Sequence, residues 1–234
     1  MRQPLLIAVA QPRCAPHELA ANAGAHAAAV KSAAARVVVF PELSLTGYEL
    51  DAAVVDPDDP KLAALVEVCG AAGTVALAGA PVAGEDGQVH LGVLAISGEG
   101  VSVAYRKIWL GDQEKARFSP GPEPAVIEVD GWRLGLAICK DIGVPQHAEQ
   151  TAALGIDAYL AGVLEHAVDA KLIDDRARRI ATEHGVWVAV ASFAGSTGGG
   201  YTQAAGRSAI WSAAGVTVAR AGSGIGSLVR ASLS

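Results

Sequence analysis

The sequence predicts an α/β fold in which two sheets pack against each other and the helices lie outside them. Short apolar runs rich in Val and Ile alternate with longer Ala-rich segments, and the predicted strands outnumber the predicted helices by about three to one. The strand runs are continuously apolar, which is typical of strands covered on both faces. A single doubly wound sheet would need more helices, so two packed sheets fit the pattern better.

The elements follow one another along the chain without an internal repeat. Strands are predicted at 5–10, 36–40, 75–80, 91–96, 101–105, 125–129, 133–138, 157–161, 186–192, 208–212, 216–219 and 226–231. Helices are predicted at 17–34, 60–71, 146–154 and 168–184. The last helix has the clearest pattern, since its apolar residues form one stripe, Asp174 and Arg178 are spaced i, i+4, and Gly185 follows as a helix stop.

Composition excludes several classes of protein. Of the 234 residues, 51% are hydrophobic and 18% are charged, which excludes a disordered chain. The net charge of −6 lacks the basic surface that nucleic acid or anionic lipid needs. No stretch approaches the roughly 18 apolar residues of a membrane span, and the apolar run at 5–10 is short for a signal peptide. We expect one domain over residues 1–234, with no nucleic-acid and no membrane partner.

The cysteines and histidines bear on compartment and cofactors. Cys14, Cys69 and Cys139 are odd in number and widely spaced, so no disulfide framework is expected and a reduced, cytoplasmic compartment fits best. The six histidines form no pair at metal-ligand spacing, and phosphate-loop, nucleophile-elbow and zinc-protease motifs are absent from the sequence. We therefore expect neither a cofactor nor a metal.

Three local clusters place reactive groups directly after predicted strands. Glu42 follows the second strand, Lys107 follows the fifth with Glu114 seven positions later, and Cys139 follows the seventh. Taken singly, each has a plainer interpretation: a solvated loop carboxylate, a surface cation and a buried packing thiol. Strand ends are nevertheless where open α/β sheets place their sites, and the charged groups beside Cys139 favour a thiolate.

Taken together and in order, these clusters resemble the nitrilase superfamily of carbon–nitrogen hydrolases. The resemblance is carried by Pro-Glu-Leu-Ser-Leu-Thr-Gly-Tyr at 41–48, Tyr-Arg-Lys-Ile-Trp-Leu at 105–110, the E-x-x-x-F-x-P-G segment at 114–121 and Gly-Leu-Ala-Ile-Cys-Lys-Asp at 135–141. It covers almost the whole chain. It implies an α-β-β-α sandwich of two packed mixed sheets with outer helices.

The resemblance also implies a set of catalytic residues. The family's Glu–Lys–Cys triad maps to Glu42, Lys107 and Cys139, and its supporting glutamate maps to Glu114. In these roles the cysteine is the nucleophile, Glu42 the base and Lys107 the cation that binds the oxyanion.

Departures from the family pattern concern the substrate. Lys140 stands where an aromatic residue is common, Trp109 where His is common and Ser192 where Asn is common. If Lys140 faces the pocket, it pairs with a carboxylate on the substrate; if it points away, it is a surface cation. We also expect Tyr48, Trp109 and Glu165 to border the substrate.

The implied reaction is hydrolysis of a non-peptide carbon–nitrogen bond in a small amide or carbamoyl amide, through a cysteine thioester and with release of ammonia. One alternative is a nitrilase acting on a small nitrile, although true nitrilases usually carry an aromatic residue and an acid directly after the cysteine. Another alternative is a non-catalytic member that binds a small molecule, against which the intact triad argues. Family members commonly pair through helices near the site, so a homodimer is expected.

Overall fold

The computed structural model of the protein describes residues 2–234 and contains two six-stranded sheets. The strands are β1 (Leu5–Ala10), β2 (Val37–Val39), β3 (Val75–Ala83), β4 (Val89–Ser97), β5 (Gly100–Arg106), β6 (Val126–Val129), β7 (Trp132–Ile138), β8 (Ala158–Val163), β9 (Trp187–Ser192), β10 (Ala194–Gly195), β11 (Ala204–Ala205), β12 (Ala209–Trp211), β13 (Thr217–Arg220) and β14 (Leu228–Leu233). The α-helices are α1 (Leu19–Ala33), α2 (Ala63–Ala72), α3 (Lys140–Gly143), α4 (Pro145–Ala153) and α5 (Ala170–His184).

The strand order explains where the reactive groups meet. Sheet 1 has the order β14-β1-β2-β3-β4-β5, and sheet 2 has the order β13-β12-β9-β8-β7-β6. Strands β1, β2 and β3 are parallel, as are β7, β8 and β9, and antiparallel strands flank both groups. Two antiparallel pairings separate β5 from β3, so β5 runs in the same direction as β3. The carboxyl ends of β2 and β5 therefore lie at the same edge of sheet 1.

Two layers of apolar contacts account for the continuously apolar strands. In β1, Ile7 and Val9 point to one face and pack with Leu136 and Ile138 of β7, which places the main core between the sheets. The alternate residues of β1 point to the opposite face, where α1 and α2 cover sheet 1. Helices α4 and α5 cover the outer face of sheet 2 in the same way. The predicted α-β-β-α sandwich is confirmed.

The predicted elements agree with the observed ones, with three additions. Every predicted strand and helix is present, while β10, β11 and α3 were not predicted. These three elements have only two to four residues each, which is too short to show a periodic pattern. Among the helices of residues 2–234, none combines the length and apolarity that a membrane crossing demands.

Helix α5 ends at the predicted glycine, but its charged side chains have other partners than the spacing predicts. Gly185 adopts a left-handed conformation with φ of 64° and closes the helix. The expected pair between Asp174 and Arg178 is wrong, because Asp174 Oδ1 accepts a hydrogen bond from Arg220 of β13 at 2.8 Å. Arg178 donates to Thr217 Oγ1 at 3.5 Å. Contacts with the edge strand thus replace a pair within the helix.

Candidate active site

The turn that carries Glu42 is held between the two sheets. Its backbone lies against Gly79 of β3 and Gly162 of β8, and a Cβ on either glycine would overlap main-chain atoms of residues 40–43. Leu43 has a positive φ of 51° in this turn. Because the backbone enters this narrow space, the Glu42 side chain emerges between the sheets and is only 2% exposed.

Lys107 lies between two carboxylates. Its Nζ donates to Glu42 Oε1 at 2.7 Å and to Glu114 Oε1 at 2.7 Å, and all three side chains are buried. Glu114 Oε2 accepts from the Gly111 N–H at 2.6 Å, which orients the second carboxylate. Glu42 Oε2 has no hydrogen-bond partner among residues 2–234, so this oxygen is available to accept a proton.

Cys139 occupies a tight turn between β7 and α3. Its φ of 42° is unusual for a residue other than glycine and indicates local backbone strain. The Cys139 N–H donates to Gly162 O at 2.9 Å, and its Sγ donates to Leu164 O at 3.5 Å. The turn therefore presents the thiol at the carboxyl end of β7, beside the groups on sheet 1.

The protonation states follow from burial and from the neighbouring charges. Burial raises the pKa of Glu42 to about 7, opposed by the Lys107 charge and reinforced by Glu114. Burial alone would lower the pKa of Lys107, but the carboxylates of Glu42 and Glu114 raise it above its ordinary value. Burial and the Glu42 charge raise the pKa of Cys139 well above the ordinary range. At neutral pH the resting site thus holds a thiol, rather than the thiolate expected from the sequence, together with an ammonium and a Glu42 carboxyl group that titrates close to that pH.

An open cleft of about 420 Å³ leads to these groups. It is lined by Tyr48, Leu50, Lys107, Gly111, Asp112, Gln113, Glu114, Cys139, Lys140, Gly143, Val144, Leu164, Glu165, Arg176 and Tyr201. Glu42 lies behind Lys107 and does not line the cleft. A space of this size accommodates a small molecule.

Three of the four predicted substrate-binding residues line the cleft. Lys140 Nζ donates to Leu110 O at 2.8 Å on the cleft wall. Tyr48 and Glu165 also lie on its wall. Trp109 is not among the lining residues of the described chain, and its backbone N–H donates to Asp141 Oδ1 at 2.9 Å.

Other cleft residues were not identified from the sequence. Tyr201 packs edge-on against Tyr48 with 5.4 Å between ring centroids. Arg176 Nη1 donates to Glu165 Oε1 at 3.4 Å, and burial raises the pKa of Glu165. Glu165 precedes α5 and Arg176 lies within it, so helical spacing does not relate the two residues. Tyr201 lies in a glycine-rich loop between β10 and β11, and neither Arg176 nor Tyr201 carried a signal in the sequence for its place in the cleft.

One group of potential metal ligands lies outside the cleft. The ligating atoms of His17, Glu49 and Asp51 lie within 4.8 Å of one another. His17 and Asp51 are exposed, and none of the three lines the cleft or contacts the triad.

The chain is similar in sequence to known hydrolases. The family model described as Carbon-nitrogen hydrolase matches residues 6–233. A Pseudomonas protegens protein described as a hydrolase in the pqqF 5′ region is 32% identical over 178 residues, which cover 73% of this chain and 62% of that protein. The matched part of the chain thus spans less than two thirds of the length of this curated relative.

The fold is similar to solved structures over nearly its whole length. Nit3 from Saccharomyces cerevisiae, a member of branch 10 of the nitrilase superfamily, superposes with a TM-score of 0.87 at 23% identity, covering 99% of this chain and 90% of that one. An amidase from Nesterenkonia AN1, of the same superfamily, gives a TM-score of 0.83 at 25% identity, covering 98% and 90%.

Proposed function

The chain belongs to the carbon–nitrogen hydrolase family, and we propose that it hydrolyses the carbon–nitrogen bond of a small amide or carbamoyl amide and releases ammonia. The observation that carries this proposal is the buried Lys107 ammonium, 2.7 Å from each of two carboxylates, beside the Cys139 thiol on the floor of the cleft. This set supplies a nucleophile, a base and a cation, which are the groups that amide hydrolysis needs.

In the first half of the proposed reaction, the substrate carbonyl becomes a thioester. Glu42 takes the thiol proton of Cys139, and the sulfur forms a bond to the carbonyl carbon while the carbonyl electron pair moves to oxygen. The Lys107 ammonium stabilises this oxyanion, and the Glu114 carboxylate keeps the ammonium oriented. When the tetrahedral intermediate collapses, the carbon–nitrogen bond breaks and Glu42 returns the proton to the departing nitrogen.

In the second half, water releases the acid. Glu42 takes a proton from water as the water oxygen attacks the thioester carbon. The carbon–sulfur bond then breaks, and the sulfur regains a proton from Glu42. The enzyme returns to its starting state, and the net change is one amide and one water consumed, with one acid and one ammonia formed.

We propose that the substrate contacts the cleft wall at Tyr48, Lys140 and Glu165. The Lys140 ammonium donates one of its three N–H groups to Leu110 O. The other two can donate to a carboxylate on the acyl part of the substrate. Trp109 lies outside the lining, so this proposal gives it no direct contact with the substrate.

Ammonia release tests the proposal. The protein is assayed against small amides, ω-amides, carbamoyl compounds and nitriles, with Cys139→Ala as control. Turnover of an amide class that disappears in the variant supports the proposal. Turnover of nitriles alone would favour the nitrilase alternative, and binding without turnover would favour a non-catalytic member.

We also propose that two copies of the chain associate near the cleft. Val168, just before α5, is 90% exposed and Leu172, in the first turn of α5, is 41% exposed, close to the cleft wall formed by Glu165 and Arg176. A second copy of the chain would bury these exposed apolar side chains on association. Light scattering should give twice the chain mass of 23.7 kDa, and the mass of a single chain would refute the dimer.

The proposed compartment is a reducing one, the cytoplasm. Cys14, Cys69 and Cys139 are all free, and the reaction requires a reduced thiol. Titration of the purified protein after unfolding without reductant should count three free thiols, whereas a count of one would show a disulfide.

A further inference from the structure

Asp141 lies two residues after Cys139, and its carboxylate is fully buried. Its Oδ2 accepts from the Ile138 N–H at 2.9 Å and from the Tyr105 hydroxyl at 2.8 Å, and its Oδ1 accepts from the Trp109 N–H at 2.9 Å. Burial of a charge is costly unless donors surround it. Three donors meet that requirement here.

The positions of these donors relate the carboxylate to two catalytic groups. Tyr105 and Trp109 lie two residues before and two residues after Lys107, and Ile138 directly precedes Cys139. One carboxylate therefore joins both sides of the lysine turn on sheet 1 to the cysteine turn on sheet 2.

A chain of side chains behind the carboxylate sets its orientation. Because Tyr105 donates its proton to Asp141, its oxygen is the acceptor for His147 Nε2 at 2.9 Å. The Nδ1 of the same ring then accepts from the Tyr159 hydroxyl at 2.8 Å. Burial lowers the pKa of His147, which keeps the ring neutral. Every proton in this chain points toward the carboxylate, and aligned hydrogen bonds of this kind strengthen one another.

The strained turn at Cys139 needs such support. Its positive φ persists only where the surrounding contacts fix the backbone. We propose that Asp141 is a positioning residue, which holds Cys139 in place relative to Lys107, and that the Tyr105, His147 and Tyr159 chain orients its carboxylate. The expected effect on kcat rests on the proposed function, whereas the expected effect on the alkylation rate of the Cys139 thiol does not.

The test measures alkylation of the native protein by iodoacetamide, with the modified cysteine identified by mass. We expect Asp141→Asn to slow alkylation of Cys139 by about tenfold, because a small displacement from the base carries a large kinetic cost. Tyr105→Phe removes one donor and should have a smaller effect, and Tyr159→Phe, at the far end of the chain, a smaller one still.

Leu65→Ala is the matched control for lost stability. Leu65 is fully buried on the inner face of α2, in a core cluster separate from the network, so this variant should melt at a lower temperature and still alkylate at the parent rate. Asp141 and Tyr105 variants that lose stability yet alkylate at the parent rate would overturn the proposal. If Asp141→Asn does not fold, Tyr105→Phe decides, since it leaves the carboxylate and its two N–H donors in place.

A second readout applies once an amide substrate is found. The same variants should lower kcat and leave KM within about twofold, because positioning acts on the chemical step. A rise in KM at unchanged kcat would contradict the positioning role. If no amide is turned over, the proposed function fails, and the alkylation rates still decide the role of Asp141.

Discussion

At the scale of single residues, Glu42 determines how the reaction should depend on pH. Burial raises its pKa to about 7, and only the ionised carboxylate accepts the thiol proton. We expect kcat/KM to rise with pH through about 7 and then level off. A rate profile from pH 5.5 to pH 9 measures this limb. Glu42→Gln should lose nearly all turnover, and an acid limb close to the ordinary glutamate pKa would contradict the assigned base.

Cys139 should be the only cysteine that turnover requires. Cys139→Ala and Cys139→Ser should abolish ammonia release and leave the circular dichroism spectrum unchanged, because the thiol faces the cleft rather than the core. Cys69→Ala is the matched control, since Cys69 is fully buried on the inner face of α2 and does not line the cleft. That variant should lose stability and keep its kcat.

Lys140 should select for a carboxylate on the substrate. For a carboxylate-bearing amide, we expect Lys140→Met to lower kcat/KM by about tenfold, the size of one charge-assisted hydrogen bond. For a neutral amide of the same length the change should be small. Lys61→Met serves as the control, since Lys61 is an exposed residue just before α2. An equal loss of kcat/KM on both substrates would show that Lys140 does not bind the substrate carboxylate.

At the scale of elements, two strand glycines should be essential for the Glu42 turn. Gly79→Ala and Gly162→Ala each force a Cβ against the backbone of residues 40–43, and overpacking of this kind costs about 1–3 kcal/mol. Both variants should show a lower denaturation midpoint together with reduced kcat.

Gly24→Ala provides the matched comparison for these glycines. Gly24 lies within α1, where an added Cβ meets nothing within 4 Å. Alanine is the better helix former by about 0.5–1 kcal/mol, so this variant should be as stable as the parent or more so. A similar loss at Gly24 would show that the effect at Gly79 and Gly162 is not specific to the turn.

The sequence predicts elements well where burial imposes a pattern. Strands covered on both faces appear as continuous apolar runs, and β1 was placed to the residue. Segment 195–203 shows the opposite case, since its glycines and polar residues permit many conformations and carry no period. Its packing over the cleft depends on contacts distant in sequence, such as the 2.7 Å hydrogen bond from Thr197 Oγ1 to Gly47 O.

At the scale of the whole molecule, strand direction explains why part of the site was predictable. Glu42 and Lys107 follow strands of sheet 1 that run in one direction, so their convergence follows from sheet topology once the resemblance supplies their order. The walls of the cleft do not follow from topology. Arg176 and Tyr201 reach it from a helix face and a loop, and spacing along the chain does not fix either orientation.

The division of the triad between the sheets also bears on how the protein is made. The proposed base and cation follow strands of sheet 1, the proposed nucleophile follows a strand of sheet 2, and β14 completes sheet 1 beside β1 only after sheet 2 has been synthesised. During synthesis the nascent chain therefore carries an ordinary cysteine without its base. We therefore expect amide hydrolysis to begin only once the two sheets have packed together, since the unfolded chain does not hold Glu42 and Lys107 beside the thiol.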